Sequence, residues 1–231
     1  MKKAIFVILI LLAFIIGLVV IFNIDFKKET TENKTDNIKF KEEYESLNGK
    51  KNSNNQEYVN VEIDENNSMV YATYEEIVDI LEKGTGIIYF GFPECPWCRR
   101  AVPVLIDASN ELGIDKIYYF NALDMRDKKS LDADGNIIIE DEGTDEYKKL
   151  VELMYDSLPV YEGLNDDTIK RLYFPTVVFV KNGEIVSFHV DTVDSHENPY
   201  ESLTNEQYNE LKQIYMDGMN EVYDILCDES C

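Results

Sequence analysis

What most narrows the folds open to this sequence is the position of Cys95-Pro96-Trp97-Cys98 between two patterns of different period. Ahead of it, Gly86-Ile87-Ile88-Tyr89-Phe90 is a continuous apolar run of the kind a buried strand requires. Behind it, from Arg99 to Leu112, Val102, Leu105 and Ile106, with Ala101 and Ala108, line one helical face, and Gly113 follows as a helix-ending residue. The cysteine pair therefore stands where a strand passes into a helix N-terminus. Two thiols at this spacing close a small disulfide ring, and the unpaired N–H groups and dipole of the helix start favour the first cysteine as thiolate. Pro96 is tolerated in the first turn because its missing N–H has no helical partner there. Pro103 falls inside the helix and predicts a kink.

A second signal lies further along the chain. Phe174-Pro175-Thr176 leads into Val177-Val178-Phe179-Val180, a Lys181-Asn182-Gly183 turn and Glu184 to Val190, which predicts a β-hairpin with proline at its entrance. A CxxC alone also suits zinc, but zinc needs a second ligand pair. The remaining candidates, Cys227, Cys231, His189 and His196, lack finger spacing.

Taken together, strand-Cys95-Pro96-Trp97-Cys98-helix and Phe174-Pro175-Thr176-hairpin resemble the thioredoxin superfamily, over roughly residues 57 to 226. The phrase Tyr89 to Arg99 is similar to membrane-anchored thioredoxin-like proteins of low-GC Gram-positive bacteria, including bacteriocin-maturation disulfide isomerases. The resemblance implies an α/β, thioredoxin-like fold, with a central mixed sheet flanked by helices. It implies a thiol–disulfide oxidoreductase without cofactor or metal, acting on protein or peptide substrates that bear thiols or disulfides. Cys95 would be the exposed nucleophile and Cys98 the buried resolving thiol. Pro175, after a cis peptide bond, would shape the substrate loop, with Pro96, Trp97, Phe174 and Thr176 beside it. One departure stands out: many thioredoxins carry a buried acid on the strand before the CxxC, where this chain has Ile88-Tyr89-Phe90. The direction of exchange, oxidase or isomerase versus reductase, stays open.

A rival reading from another class is a copper chaperone. In it the CxxC holds a soft metal such as Cu(I), assisted by His189 or by Cys227 and Cys231. Cys227 and Cys231 also invite a redox-relay reading, but they are expected to form a local structural disulfide or remain free, because a final helix of thioredoxin topology carries them away from the CxxC.

At the N-terminus, Ala4 to Ile24 is apolar apart from Gly17 and Asn23, and about twenty helical residues span a bilayer core. Residues 1–26 are expected to be a transmembrane anchor. The alternative, a cleaved secretory signal, is opposed by the length of the run and by Asn23 to Lys27, which offers no small-x-small site. The single-pass anchor predicts an extracytoplasmic domain, although Lys2 and Lys3 are balanced by Lys27 and Lys28. Residues 27–56 read as a polar tether with a short amphipathic helix carrying Phe40, Tyr44 and Leu47, and residues 57–231 as one domain. A formal charge of −23 argues against nucleic acid as partner. Of only four arginines, Arg99 and Arg100 follow the CxxC directly, and a guanidinium there is a candidate to stabilise the thiolate.

Within the domain, Tyr58 to Ile63 alternates like a strand, and Thr73-Tyr74-Glu75-Glu76 is a capping box for a helix through Leu81. Lys116 to Phe120 predicts a strand, and Thr204-Asn205-Glu206-Gln207 caps a final helix. Residues 124–173 form an insertion: a hairpin from Leu131 to Ile139 around Asp134-Gly135, then a helix capped by Thr144. A calcium loop at Asp132 to Asn136 fails because its glycine stands fourth rather than sixth. Leu158 to Tyr161 is a candidate border of the substrate groove.

Overall fold

The computed structural model describes residues 35 to 224. The expected membrane anchor, residues 27–34 of the tether, and Cys227 and Cys231 lie outside the described residues. Among the described residues no helix is long and apolar enough to cross a membrane.

The chain forms α1 (Asp36–Glu45), β1 (Met69–Tyr71), α2 (Tyr74–Lys83), β2 (Gly86–Phe90), α3 (Pro96–Glu111) and β3 (Ile117–Phe120). After a 3₁₀ turn at Leu123–Met125 come β4 (Lys128–Leu131), β5 (Ile137–Asp141), α4 (Asp145–Leu153), β6 (Thr176–Lys181), β7 (Glu184–Val190) and α5 (Asn205–Tyr223). Five strands make one mixed sheet in the order β1-β3-β2-β6-β7, and β4-β5 is a separate two-stranded sheet. β3 runs parallel to both β1 and β2, whereas β2-β6 and β6-β7 are antiparallel. This is an α/β domain with a central mixed sheet flanked by helices.

β2 is buried along its whole length because both of its faces are covered. Successive strand residues point to opposite sides. On one side Phe179, paired with Ile87, meets α5 at Gly218. On the other, Ile80 of α2 and Tyr118, the partner of Ile88, close over Gly86. The β6-β7 turn places Asn182 and Gly183 at φ 53° and 79°, the geometry of a tight hairpin, and the Gly183 N–H donates to the Gly84 carbonyl at 2.7 Å. A Cβ on Gly183 would meet the Glu82 carbonyl oxygen at 2.5 Å, so this position needs glycine for space as well as for φ.

Three capped helices begin where their side chains demand. Thr73 and Thr204 close reciprocal capping boxes with Glu76 and Gln207, and Thr144 accepts the Tyr147 N–H. The Asp132–Asn136 turn of the insertion hairpin is tied by Asp132 accepting the Asp134 and Asn136 N–H groups. α3 continues through Pro103 to Glu111.

Two expectations are corrected. The core begins at α1 and not at residue 57: Phe40 and Tyr44 are fully buried, and the Phe40 ring lies 4.5 Å from Tyr44 and 4.9 Å from Tyr119. Residues 58 to 63 join no sheet; beyond β3 the edge strand is β1. Their alternation is real, since Val59, Val61 and Ile63 are buried. Side chains take the place of a neighbouring strand. Asn48 donates to the Val61 carbonyl at 2.7 Å and accepts its N–H at 3.0 Å, while Glu45 accepts the Ile63 N–H at 2.8 Å. Lys41 donates to the Ile63 carbonyl at 2.6 Å and Arg99 to that of Val59.

Candidate active site

Cys95 is the N-cap of α3, with extended backbone at φ −70°, ψ 118°, and Pro96 occupies the first turn as expected. The Cys95 Sγ accepts the Cys98 N–H at 3.1 Å, so sulfur stands where a serine or aspartate oxygen caps other helices. The proline loop arrives from the far side of the sequence. The Phe174–Pro175 peptide is cis, and the Phe174 carbonyl accepts the Cys95 thiol at 3.6 Å. The two sequence signals thus converge on one sulfur, and both thiols are free.

The expectation of an exposed Cys95 is corrected: the residue is only 5% exposed, against 0% for Cys98. Its sulfur is turned to the helix start and the Phe174 backbone, so anything reacting there has to displace that carbonyl contact. Phe174 is itself 7% exposed and packs edge-on against Phe92 at 5.5 Å. Thr176 is fully buried and its hydroxyl donates to the Tyr173 carbonyl at 2.9 Å, which removes it from any substrate contact. Pro96 and Trp97 are half-buried, and Pro175 is buried. The Trp97 ring stands 5.3 Å from His196, edge to face. His196 is fixed by the Thr192 hydroxyl at 2.9 Å and the Glu201 carbonyl at 3.1 Å.

Cys98 lies beneath. Burial pushes its thiol well above the usual range, and the neighbouring Cys95 adds to the rise; a Phe92 backbone contact and the Tyr89 hydroxyl work against it. Cys98 therefore rests as a thiol at neutral pH. Tyr89 projects from β2, and its hydroxyl bonds the Tyr44 hydroxyl at 2.9 Å. A Cβ at Gly91 would collide with the Tyr89 hydroxyl, so this glycine provides its space. Further out, Tyr119 stacks on Tyr89 at 5.8 Å and donates to Glu43 at 3.5 Å, and Tyr71 donates to the same carboxylate.

This tyrosine network escaped the sequence reading. The signal for Tyr89 was a single hydroxyl in an otherwise apolar strand; Tyr44, on a helix assigned to the tether, gave none.

Arg99 is 1% exposed and faces inward, away from the cysteine sulfurs. It is a clamp: its guanidinium donates to the carbonyls of Tyr44 at 2.7 Å and Pro93 at 3.0 Å, to that of Val59, and to Asn48 Oδ1 at 2.6 Å. Arg100 holds the carbonyls of Pro199 and Tyr200.

For a metal, the described residues bring together no group of three or more His, Cys, Asp or Glu. His189, whose pKa is lowered by burial, bonds the Thr192 carbonyl at 2.7 Å. The second cysteine pair of the copper reading lies outside the described residues.

What the arrangement offers chemically is two neighbouring thiols, one of them capping a helix N-terminus and facing a backbone carbonyl. No protein-family model matches the sequence, and no curated protein matches it.

Proposed function

We propose that this chain is a thioredoxin-like thiol–disulfide oxidoreductase, anchored in the cell membrane through residues 4 to 24 with its domain on the extracytoplasmic side, exchanging disulfides with protein or peptide substrates. The observation that carries the reading is the pairing of the Cys95 sulfur, capped by the Cys98 N–H, with the carbonyl of Phe174 in front of Pro175. The sheet order, with its parallel β1-β3-β2 half and antiparallel β2-β6-β7 half, supports the thioredoxin-like assignment.

In the reducing direction the Cys95 thiolate attacks one sulfur of a substrate disulfide. The S–S bond breaks, the departing sulfur takes a proton, and a mixed disulfide remains. Cys98 then attacks the Cys95 Sγ, expels the second substrate sulfur, to which its own proton passes, and closes a Cys95–Cys98 disulfide. Two electrons have moved from the dithiol to the substrate. The Tyr89 hydroxyl, which lowers the Cys98 pKa against the rise from burial, favours the thiolate that this second step requires. Run backwards, the same steps oxidise a substrate dithiol, the direction favoured where structural disulfides persist.

The test is a redox titration of the full-length chain against glutathione buffers, read by the mass of the Cys95 to Cys98 peptide after alkylation. A reversible two-electron transition is expected; a potential near about −270 mV assigns a reductase and one near about −120 mV an oxidant. Absence of any Cys95–Cys98 disulfide across the range overturns the reading.

A further inference from the structure

The chain carries 45 acidic residues against 22 lysines and arginines, so a guanidinium has carboxylates in ample supply. Among the described residues none of the four arginines forms an ion pair, and only Arg99 and Arg100 are spent instead on backbone carbonyls and Asn48. The other two, Arg126 and Arg171, lie near the two ends of the insertion. They lie on aromatic rings instead: Arg126 stands 5.2 Å from the centroid of Phe174, and Arg171 is 4.1 Å from that of Tyr161 and 5.7 Å from that of Tyr173. The Nε of Arg171 is buried without a hydrogen-bond partner. Lys129, which shares the Tyr161 ring with Arg171, is already matched by Asp127. Burial first, and then the charge of Arg171, lower the pKa of Arg126, so the two guanidinium groups feel one another across this half-buried surface.

Phe174 joins the pair to the thiol chemistry. Its ring carries Arg126 and its carbonyl accepts the Cys95 thiol, so the guanidinium stands one side chain from the candidate nucleophile. Two guanidinium groups laid on aromatic faces, neither with an ion pair among the described residues, suit a carboxylate able to take a bidentate contact. Resting on the disulfide-exchange reading above, we propose that Arg126, supported by Arg171, selects substrates in which the reacting cysteine is flanked by Asp or Glu. The surface is a specificity subsite for acidic peptide segments, set in a protein whose overall charge otherwise repels them.

The experiment uses the reduced full-length chain and three synthetic peptides, identical except for Glu, Gln or Lys on either side of one cysteine, each blocked as a mixed disulfide with 2-mercaptoethanol. Attack by Cys95 is timed by acid quench and mass spectrometry, and each rate is divided by that of the same peptide with dithiothreitol, which removes differences in leaving-group reactivity. The Glu peptide is expected to react about fivefold faster than the Gln peptide at low salt, with the Lys peptide slowest, and the preference is expected to shrink at about 0.5 M salt. Arg126→Gln brings the Glu-to-Gln ratio to about one, whereas Arg126→Lys keeps part of it because the charge remains. A purely structural arginine changes all three rates together and leaves the ratio intact, which overturns the proposal. Equal Glu and Gln rates in the unmodified chain overturn the selection alone; no reaction with any peptide overturns the exchange reading along with it.

Discussion

At the scale of single residues, the two thiols differ because the helix start treats them differently. Cys95 is the cap and touches the loop that a substrate replaces; Cys98 is one turn in, sealed from water and next to Tyr89. Cys98→Ser is therefore expected to accumulate a mixed disulfide between Cys95 and substrate, seen as an added substrate mass under non-reducing conditions. Cys95→Ser should form no adduct and lose at least about a thousandfold in exchange rate, since the capping thiol that faces the Phe174 carbonyl is gone. Tyr89→Phe removes the hydroxyl that opposes the rise of the Cys98 pKa, so that pKa rises further and the resolving step should need more alkaline pH. A stopped-flow pH profile of mixed-disulfide resolution tests this, and an unshifted profile rejects a role for Tyr89. The same change orphans the buried Tyr44 hydroxyl, at a cost of about 1–3 kcal/mol in denaturant unfolding.

At the scale of elements, the segment from residue 58 to 63 is held as a strand is held, but by side chains. Arg99 is the centre of that arrangement because it ties α3 to α1, to Val59 and to the turn at Pro93 in front of Cys95. Removing it leaves several carbonyls buried without donors. Arg99→Ala is expected to cost about 3 kcal/mol in urea unfolding and to loosen the turn carrying the cysteines. Arg99→Lys should recover little of that, because a single ammonium does not reproduce a fork that reaches four acceptors. A loss below about 0.5 kcal/mol for Arg99→Ala would show that the clamp is dispensable.

At the scale of the whole molecule, the boundary of the folding unit follows from the same contacts. Phe40 and Tyr44 of α1 fill the sheet face on which Tyr89 and Tyr119 pack, so a fragment beginning at residue 57 lacks part of its own core. A fragment of residues 35 to 231 is expected to unfold cooperatively, and one of residues 57 to 231 to lack a sharp transition by circular dichroism. Phe40→Ala in the full chain should cost about 4 kcal/mol. A cooperative fragment beginning at residue 57 contradicts this boundary.

Local chemistry explains what was legible without the structure. The strand before the cysteines, the helices opened by Thr73, Thr144 and Thr204, the Asn182-Gly183 hairpin and the proline ahead of β6 are each specified by neighbours within a few residues: a capping oxygen, a turn residue with positive φ, a run of one period. The period-2 pattern at residues 58 to 63 correctly reported which side chains are buried. It could not report whether the backbone partner is a strand, because Asn48, Glu45 and Arg99 satisfy those amides equally well. Only the tertiary structure decided that α1 belongs to the core, that Cys95 is covered by the Phe174 carbonyl, that Arg99 faces inward and that Tyr44 meets Tyr89. Each of these joins residues about forty to eighty positions apart. Such contacts are fixed by which buried donors and rings must pair once the sheet assembles, and no local spacing carries that information.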